Sequence, residues 1–321
     1  MTDKIPSLLE NRLGRTHARR RLGIESDKDQ HIFGLGLNFF HPENWYSLST
    51  ILRYTLKMTG LYYLGQRNSQ HHTLSNNLLS INNLPAEFEG YKILHLSDLH
   101  VDMNRQAMIN MNNTVTGLEY DICVMTGDYR AKTFGSIAES IEGMRSVVDS
   151  IKKPVYAVLG NHDSIRMVPA LESMGIRILL NETVTIKSGQ SHFYISGVDD
   201  AHYFRVDNID KTSSDIPNGA PSILLSHTPE IYKQAAHAGY GAFLCGHTHG
   251  GQICLPGKIP VTLDSKCPRY MGSGSWKYKN MTGYTSVGAG TSIVDVRINC
   301  PPEITIHKLT GRMHGPNRDA S

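Results

Sequence analysis

Short apolar runs that end in polar, glycine-bearing loops recur along the chain at residues 91–96, 121–125, 154–159, 222–225 and 241–245. Runs of this length suit buried strands better than helices. The residues that follow them are Asp98-Leu99-His100, Gly127-Asp128, Gly160-Asn161-His162-Asp163, His227 and Gly246-His247-Thr248-His249-Gly250-Gly251. Polar residues just beyond strand C-termini are where α/β sheets place their chemistry. The pattern therefore predicts an α/β fold whose site is assembled from strand ends. Residues 284–287, 293–298 and 303–309 also read as strands and are expected to complete a second sheet. The tail from Thr310 is polar and reads as frayed.

The first 84 residues are patterned differently. No acidic residue occurs between Asn44 and Ala86, while Arg53, Lys57 and Arg67 add positive charge. Wound at 100° per residue, residues 45–64 form a helix with Trp45, Leu48, Ile51, Leu52, Leu56, Met58, Tyr62 and Tyr63 on one broad face. Ser49, Arg53, Lys57 and Gly60 fall opposite. Arg53 and Lys57 near its middle argue against a bilayer span, each costing about 2.5–3.5 kcal/mol. Two readings stay open: a helix lying in the plane of a membrane surface, or one packed on the catalytic domain or on a second copy. The preceding Arg12, Arg15, Arg19, Arg20 and Arg21 either meet anionic headgroups or form a solvated arm. The expected organisation is an extension over 1–84, a catalytic domain over 85–311 and a tail over 312–321.

Composition narrows the class only a little. A formal charge of +3 over 321 residues gives no argument for a nucleic-acid partner. The 5 cysteines, Cys123, Cys245, Cys254, Cys267 and Cys300, lack CxxC spacing, and two sit in predicted buried strands. They read as free thiols in a reducing compartment. No apolar stretch directly follows the arginines, so a cleaved signal peptide is not expected and a cytoplasmic location is.

His247 and His249 are two apart, so an extended chain points both imidazoles the same way. Together with Asp98, His100, Asp128, Asn161 and His227 they supply mixed oxygen and nitrogen donors, which suit transition metals better than Mg or Ca alone. His71, His72, His192 and His237 read as ordinary surface or core histidines.

This ordered set of fragments resembles the calcineurin-like metallophosphoesterase family over about residues 91–311. The resemblance implies a four-layer αββα sandwich of two mixed β-sheets flanked by helices, here carrying an N-terminal helical extension. It implies two divalent transition metal ions, Mn foremost, with Fe or Zn as alternatives. One ion would take Asp98, His100 and His249, the other Asn161, His227 and His247, with Asp128 shared. His162 is similar to the family's general acid or transition-state stabiliser, and Asp163 either orients that imidazole or opens a helix over 164–172. The implied reaction is in-line attack on phosphorus by water activated between the ions. Tyr129 and Arg130 depart from the residues many relatives carry after the bridging aspartate. Arg130 is expected to hold a phosphate oxygen, with Arg166 and His202 as further headgroup contacts.

For substrate, Ser226-His227-Thr228-Pro229-Glu230, Gly250-Gly251-Gln252-Ile253-Cys254-Leu255-Pro256 and the stretch from Gly288-Ala289-Gly290-Thr291-Ser292 to Pro301-Pro302-Glu303-Ile304 look like a bacterial branch that includes membrane-associated UDP-2,3-diacylglucosamine pyrophosphatases. Phe39-Phe40-His41-Pro42-Glu43-Asn44-Trp45 and Thr126-Gly127-Asp128-Tyr129-Arg130 look like bacterial metallophosphoesterases of phospholipase C type. The expectation is hydrolysis of phospholipid headgroups to diacylglycerol and a phosphoalcohol. The lipid pyrophosphatase is the alternative, and a soluble nucleotide phosphodiesterase ranks third. A non-catalytic scaffold ranks last because every ligand position is filled. Expected partners are a lipid phosphoester and the inner face of the cytoplasmic membrane, with the oligomeric state open and no nucleic acid.

Overall fold

In the computed structural model, which describes residues 5–26 and 46–311, the apolar runs pair into two six-stranded sheets packed face to face. The first runs in the order β1 (Thr73–Ile81), β14 (Glu303–Gly311), β2 (Lys92–Leu96), β3 (Ile122–Met125), β4 (Val155–Ala157) and β5 (Ile176–Ile178). The second runs β12 (Gly274–Tyr278), β13 (Met281–Thr285), β9 (Ala242–Cys245), β8 (Ser222–Leu225), β7 (Ser191–Gly197) and β6 (Glu182–Ser188). Both are mixed: β14 is antiparallel to β2 but parallel to β1, and β6 and β12 are antiparallel to their neighbours. A small antiparallel pair, β10 (Cys254–Leu255) and β11 (Ile259–Pro260), stands apart.

Alternation of side chains decides the layers. Along β2, Leu94 and Leu96 join the cluster that includes helices α1 (Ile5–Leu13), α2 (Arg15–Ser26), α5 (Arg105–Thr116), α6 (Ala138–Asp149) and α7 (Val168–Ser173). Ile93, one residue before Leu94, faces the other sheet, where it clusters with Ile223, Leu225, Ala242 and Leu244. Leu224, Phe243 and Cys245 point outward to α8 (Ile209–Ser214) and α9 (Tyr232–His237). The result is the expected αββα sandwich.

Several local expectations are corrected. Residues 303–309 were expected in the second sheet but form β14 of the first, inserted between β1 and β2 with Ile306 opposite Leu94. Period-two alternation fits either sheet equally and carries no information about which. Residues 293–298 are no strand: Val294 and Val296 pack under Leu56, and Ile298 makes only an isolated bridge to Ile253. The extension expected over 1–84 ends in β1, the edge strand of the first sheet.

The single helix expected over 45–64 is two, α3 (Tyr46–Met58) and α4 (Leu61–Asn68), broken at Gly60, whose φ of 74° is left-handed. Its predicted single apolar face is split as well. Leu52, Leu56 and Tyr62 turn inward against the 293–298 segment, whereas Ile51, Met58 and Tyr63 are exposed. The block 39–45, Trp45, the Leu48 side chain and the tail from 312 lie outside the described residues.

The arginine-rich segment is not a solvated arm. Arg12 bridges Glu172 at 2.7 Å and Glu182 at 2.7 Å, and Arg21 is fully buried with its guanidinium 3.1 Å over the centre of the Phe204 ring. Leu9, Leu13 and Ala18 join the outer core beside them. Arg12 and Arg21, held in these contacts, are not available to a headgroup, whereas Arg15, Arg19 and Arg20 are exposed.

Two imidazoles, His95 and His307, are fully buried. Loss of solvation pushes His95 down from 6.5 to about 3, and burial with the neighbouring His95 holds His307 well below 6.5. A histidine kept neutral by folding contributes stability that is complete above pH 6.5 and is lost as pH falls toward the folded value. His95 alone is expected to cost about 2 kcal/mol between pH 6.5 and pH 5, with His307 adding in the same direction. Urea unfolding at pH 7.5, 6 and 5 checks this, and a stability that stays flat across that interval contradicts it.

Candidate metal centre

Each predicted ligand sits on the first turns beyond a strand, and five of them bend the chain the unfavourable way. Asp98, His100, Asp128, His247 and His249 have φ of 51°, 40°, 58°, 74° and 49°. Left-handed backbone at non-glycine residues costs roughly 1–3 kcal/mol each and collects at functional sites. Here it turns the side chains off the strand axis into a common space. The loops touch closely: Gly127 has φ 91°, and a Cβ there would lie 2.5 Å from the Gly160 nitrogen.

The donors fall into two groups. In one, His100 Nε2 lies 3.2 Å from His249 Nε2, which lies 3.4 Å from Asp98 Oδ1. In the other, His227 Nε2 lies 2.9 Å from Asn161 Oδ1 and 3.2 Å from His247 Nδ1. Asp128 stands between, its Oδ2 3.8 Å from His100 Nε2 and 3.3 Å from His227 Nε2. Backbone carbonyls fix the ring faces. His100 Nδ1 donates to the Arg130 carbonyl at 2.8 Å and His227 Nδ1 to the Thr126 carbonyl at 2.8 Å, which leaves both Nε2 atoms facing the centre.

The electrostatics match a cation site. Burial raises the Asp98 carboxyl, an effect opposed by His227 and compounded by Asp128. Burial would raise Asp128 too, but His227, His162 and His100 hold it well below the usual carboxylate range. His247 Nε2 is buried and has no hydrogen-bond partner among the described residues. Asp98, His100 and His249, and separately Asp128, His227 and His247, each bring one donor atom within 4.8 Å of the others. Mixed imidazole, carboxylate and amide oxygen at these separations fits a pair of divalent ions.

His162 stands beside this pair, its Nε2 3.9 Å from Asp128 Oδ2 and its Nδ1 3.0 Å from Thr133 Oγ1. Asp163 neither orients that ring nor caps a long helix. Its carboxylate accepts from the backbone nitrogens of Asp128 at 2.7 Å, Tyr129 at 2.8 Å and Gly160 at 2.9 Å, tying the two loops together. Burial, reinforced by Asp128, raises it to about 6.

From the site a cleft of about 460 Å³ opens to solvent. Asp128, Asn161, His162, His247 and His249 line its polar end, and Leu52, Ile253, Val261, Leu263, Ile293 and Val294 line most of the rest, beside Thr248, Gln252, Thr262, Asp264 and Ser292.

Residues 91–251, which carry all seven donors and His162, match the model of the calcineurin-like phosphoesterases. The chain belongs to this family. It is a metal-dependent phosphoesterase, and members of the family use divalent metal ions. Similar proteins include the metallophosphoesterase YkoQ of Bacillus subtilis, 29% identical over 77% of this chain and 94% of that protein. The phosphodiesterase YaeI of Escherichia coli is 26% identical over 68% of this chain and 82% of its own length. The UDP-2,3-diacylglucosamine pyrophosphatase LpxG of Chlamydia muridarum is 24% identical over 69% and 84%.

In this calcineurin-like phosphoesterase the three expected substrate contacts lie apart from the cleft. Arg130 is buried and gives its Nε to the His162 carbonyl at 2.5 Å and its other nitrogens to the carbonyls of Gly135 and Thr133. Three carbonyls occupy the fork, so it shapes the His162 loop instead of reaching a phosphate. Arg166 is half-buried on the turn Ile165–Met167 and does not line the cleft. His202 lies behind His247, ring centres 4.2 Å apart, with Nδ1 3.2 Å from Glu230; that carboxylate outweighs burial and raises it to about 9.

Sequence reasoning missed two other arginines. Arg297 donates to the His249 carbonyl at 3.0 Å, and the one cation in the apolar run 293–298 was its visible signal. Arg21 donates to the Asp163 carbonyl at 2.7 Å, while Glu25 accepts from the Ile165 nitrogen at 2.7 Å, so α2 braces the loop bearing His162. Nothing local in the sequence announces that contact.

Proposed function

We propose that this phosphoesterase hydrolyses membrane phospholipids in the manner of a phospholipase C, releasing diacylglycerol and a phosphoalcohol. The observation that supports this reading is the cleft: its polar end is the metal centre, and its walls are mostly apolar, from Leu52 of α3, Ile253, Val261 and Leu263 flanking β10 and β11, and Ile293 and Val294, beside the polar Gln252, Thr262, Asp264 and Ser292. A diester with an acyl-bearing side suits such a cleft, and a nucleotide's polar flanks do not. Outside the cleft, Ile51, Tyr54 and Met58 share the outward side of α3 at 63%, 65% and 89% exposure, next to exposed Arg53 and Lys57. An apolar face with cations and no acid suits an anionic bilayer surface. No helix among the described residues is long and apolar enough to cross a membrane. In this reading the protein works peripherally, at the inner face of the cytoplasmic membrane.

We assign Asp98, His100 and His249 to one ion, Asn161, His227 and His247 to the other, and Asp128 to both, with Mn favoured by the mixed donors. When bound, a pair of divalent ions polarises phosphoryl oxygens and brings the pKa of water near neutrality. The chain's own part is to orient and to move a proton. Asp128, His100 and His227 fix the donor geometry, Asp163 and α2 hold the loop, and His162 Nε2 delivers a proton to the leaving oxygen.

The similarity to LpxG supports a second reading, cleavage of a UDP-linked acyl sugar. Mn-loaded protein is incubated with mixed bacterial phospholipids and, separately, with UDP-2,3-diacylglucosamine, with bis(4-nitrophenyl) phosphate as a soluble control. Mass spectrometry is expected to find diacylglycerol and phosphoalcohols. UMP with a phosphorylated acyl sugar moves the assignment to the second reading, and turnover of the soluble diester alone removes both.

A further inference from the structure

The layer between the sheets should be apolar, yet β2 and β14 each put a histidine into it. His95 and His307 are fully buried there, on the strand faces that carry Ile93 and Leu309, with the Tyr284 ring centre 4.8 Å from that of His307. Burying an imidazole among hydrocarbons is costly unless both nitrogens are satisfied. Both are, through a file of hydrogen bonds that leads to a proposed metal ligand.

At the first sheet's edge, Asn77 Nδ2 lies 2.9 Å from His307 Nδ1. His307 Nε2 lies 3.1 Å from His95 Nδ1, and His95 Nε2 lies 2.9 Å from Thr126 Oγ1. Thr126 Oγ1 is 2.6 Å from Ser97 Oγ, which is 2.6 Å from Asp98 Oδ2. Beyond the other end, Ser275 Oγ donates to Asn77 Oδ1 at 2.6 Å.

The direction of this file follows from its acid end. A carboxylate that holds a cation is ionised and can only accept. Ser97 must therefore donate to Asp98, which obliges Thr126 to donate to Ser97 and His95 Nε2–H to donate to Thr126. His95 Nδ1 is then an acceptor, so His307 must be the Nε2–H tautomer as well, and its Nδ1 needs a donor. Asn77 Nδ2 supplies it. Each group gives one hydrogen toward Asp98, and each acceptor along the file receives one. Hydrogen bonds aligned in this way polarise one another.

We propose that Asn77, His307 and His95 are positioning residues for the metal centre: through Thr126 and Ser97 they pin Asp98 Oδ2 and leave Oδ1 turned toward His249. The proposal rests on the assignment of Asp98 as a ligand. Asn77 lies on β1, outside both the cleft and the donor set. An effect on metal affinity from this position has no route through direct contact.

The first test is the tautomer. Long-range ¹H–¹⁵N NMR of histidine-labelled, Zn-loaded protein is expected to show His95 and His307 neutral with the proton on Nε2; an Nδ1–H form of either ring overturns the proposal. The second is Asn77→Asp, which places an acceptor at both ends and leaves one link without a hydrogen. Calorimetric Mn titration is expected to show affinity about tenfold weaker, the range for groups that orient ligands. The nearly isosteric Asn77→Leu removes one donor without reversing the file and is expected to cost less. Equal affinity in folded Asn77→Asp and wild type overturns the proposal, and if that variant does not fold the tautomer measurement still decides. Unchanged Mn content in Asp98→Asn would instead remove the ligand assignment itself.

Discussion

Asp128→Ala is expected to leave a folded chain that retains less than one ion and turns over bis(4-nitrophenyl) phosphate more than about 1,000-fold slower than wild type. Asp128 lies within reach of both groups, its Oδ2 3.8 Å from His100 Nε2 and 3.3 Å from His227 Nε2. Its Oδ1 also accepts from the His162 nitrogen at 2.9 Å, so its loss loosens the neighbouring loop as well. The loop's other ties, from Asp163 to the nitrogens of residues 128, 129 and 160, do not involve the lost side chain. Metal per chain by inductively coupled plasma mass spectrometry, read beside circular dichroism, separates loss of ions from loss of fold. Two ions per chain at an undiminished rate would remove Asp128 from the centre.

His162→Ala is expected to do the opposite to the metal and something similar to the rate. No donor pair needs this ring, so both ions should stay, while turnover of a phospholipid falls by about 10²–10⁴. A proton donor matters most when the leaving group is poor. The 4-nitrophenolate ester should therefore lose much less than the phospholipid, whose leaving oxygen belongs to an alcohol. Equal losses on the two substrates would assign His162 to phosphoryl binding instead, and no loss on either would take it out of the reaction. Thr133, 3.0 Å from its Nδ1, sets the ring face.

The site was legible because each ligand is written beside its strand. An apolar run followed by Asp98, Asp128, Asn161, His227 or His247 names both the element and the end of it that matters, and parallel strands bring such ends together. Sheet membership was not legible: 303–309 alternates as well for one sheet as for the other. Nor was the fate of cations. Arg130 and Arg21 look available in sequence, yet their partners are carbonyls at 133, 135, 162 and 163, and Phe204 for Arg21. A guanidinium's choice between ligand and scaffold is settled by loops distant along the chain. The helix over 45–64 failed for a nearer reason, since Gly60 takes a left-handed turn that a periodicity plot does not see.

The left-handed backbone at Asp98, His100, Asp128, His247 and His249 has a consequence for how such a protein changes over generations. Glycine at any of these positions relaxes the main chain while deleting a ligand, so the mutations that silence the chemistry relieve strain on the fold. Quality control in a cell reads stability and is blind to turnover. Inert copies of this sequence would persist as well-folded protein, and the slope from enzyme to catalytically silent platform runs downhill.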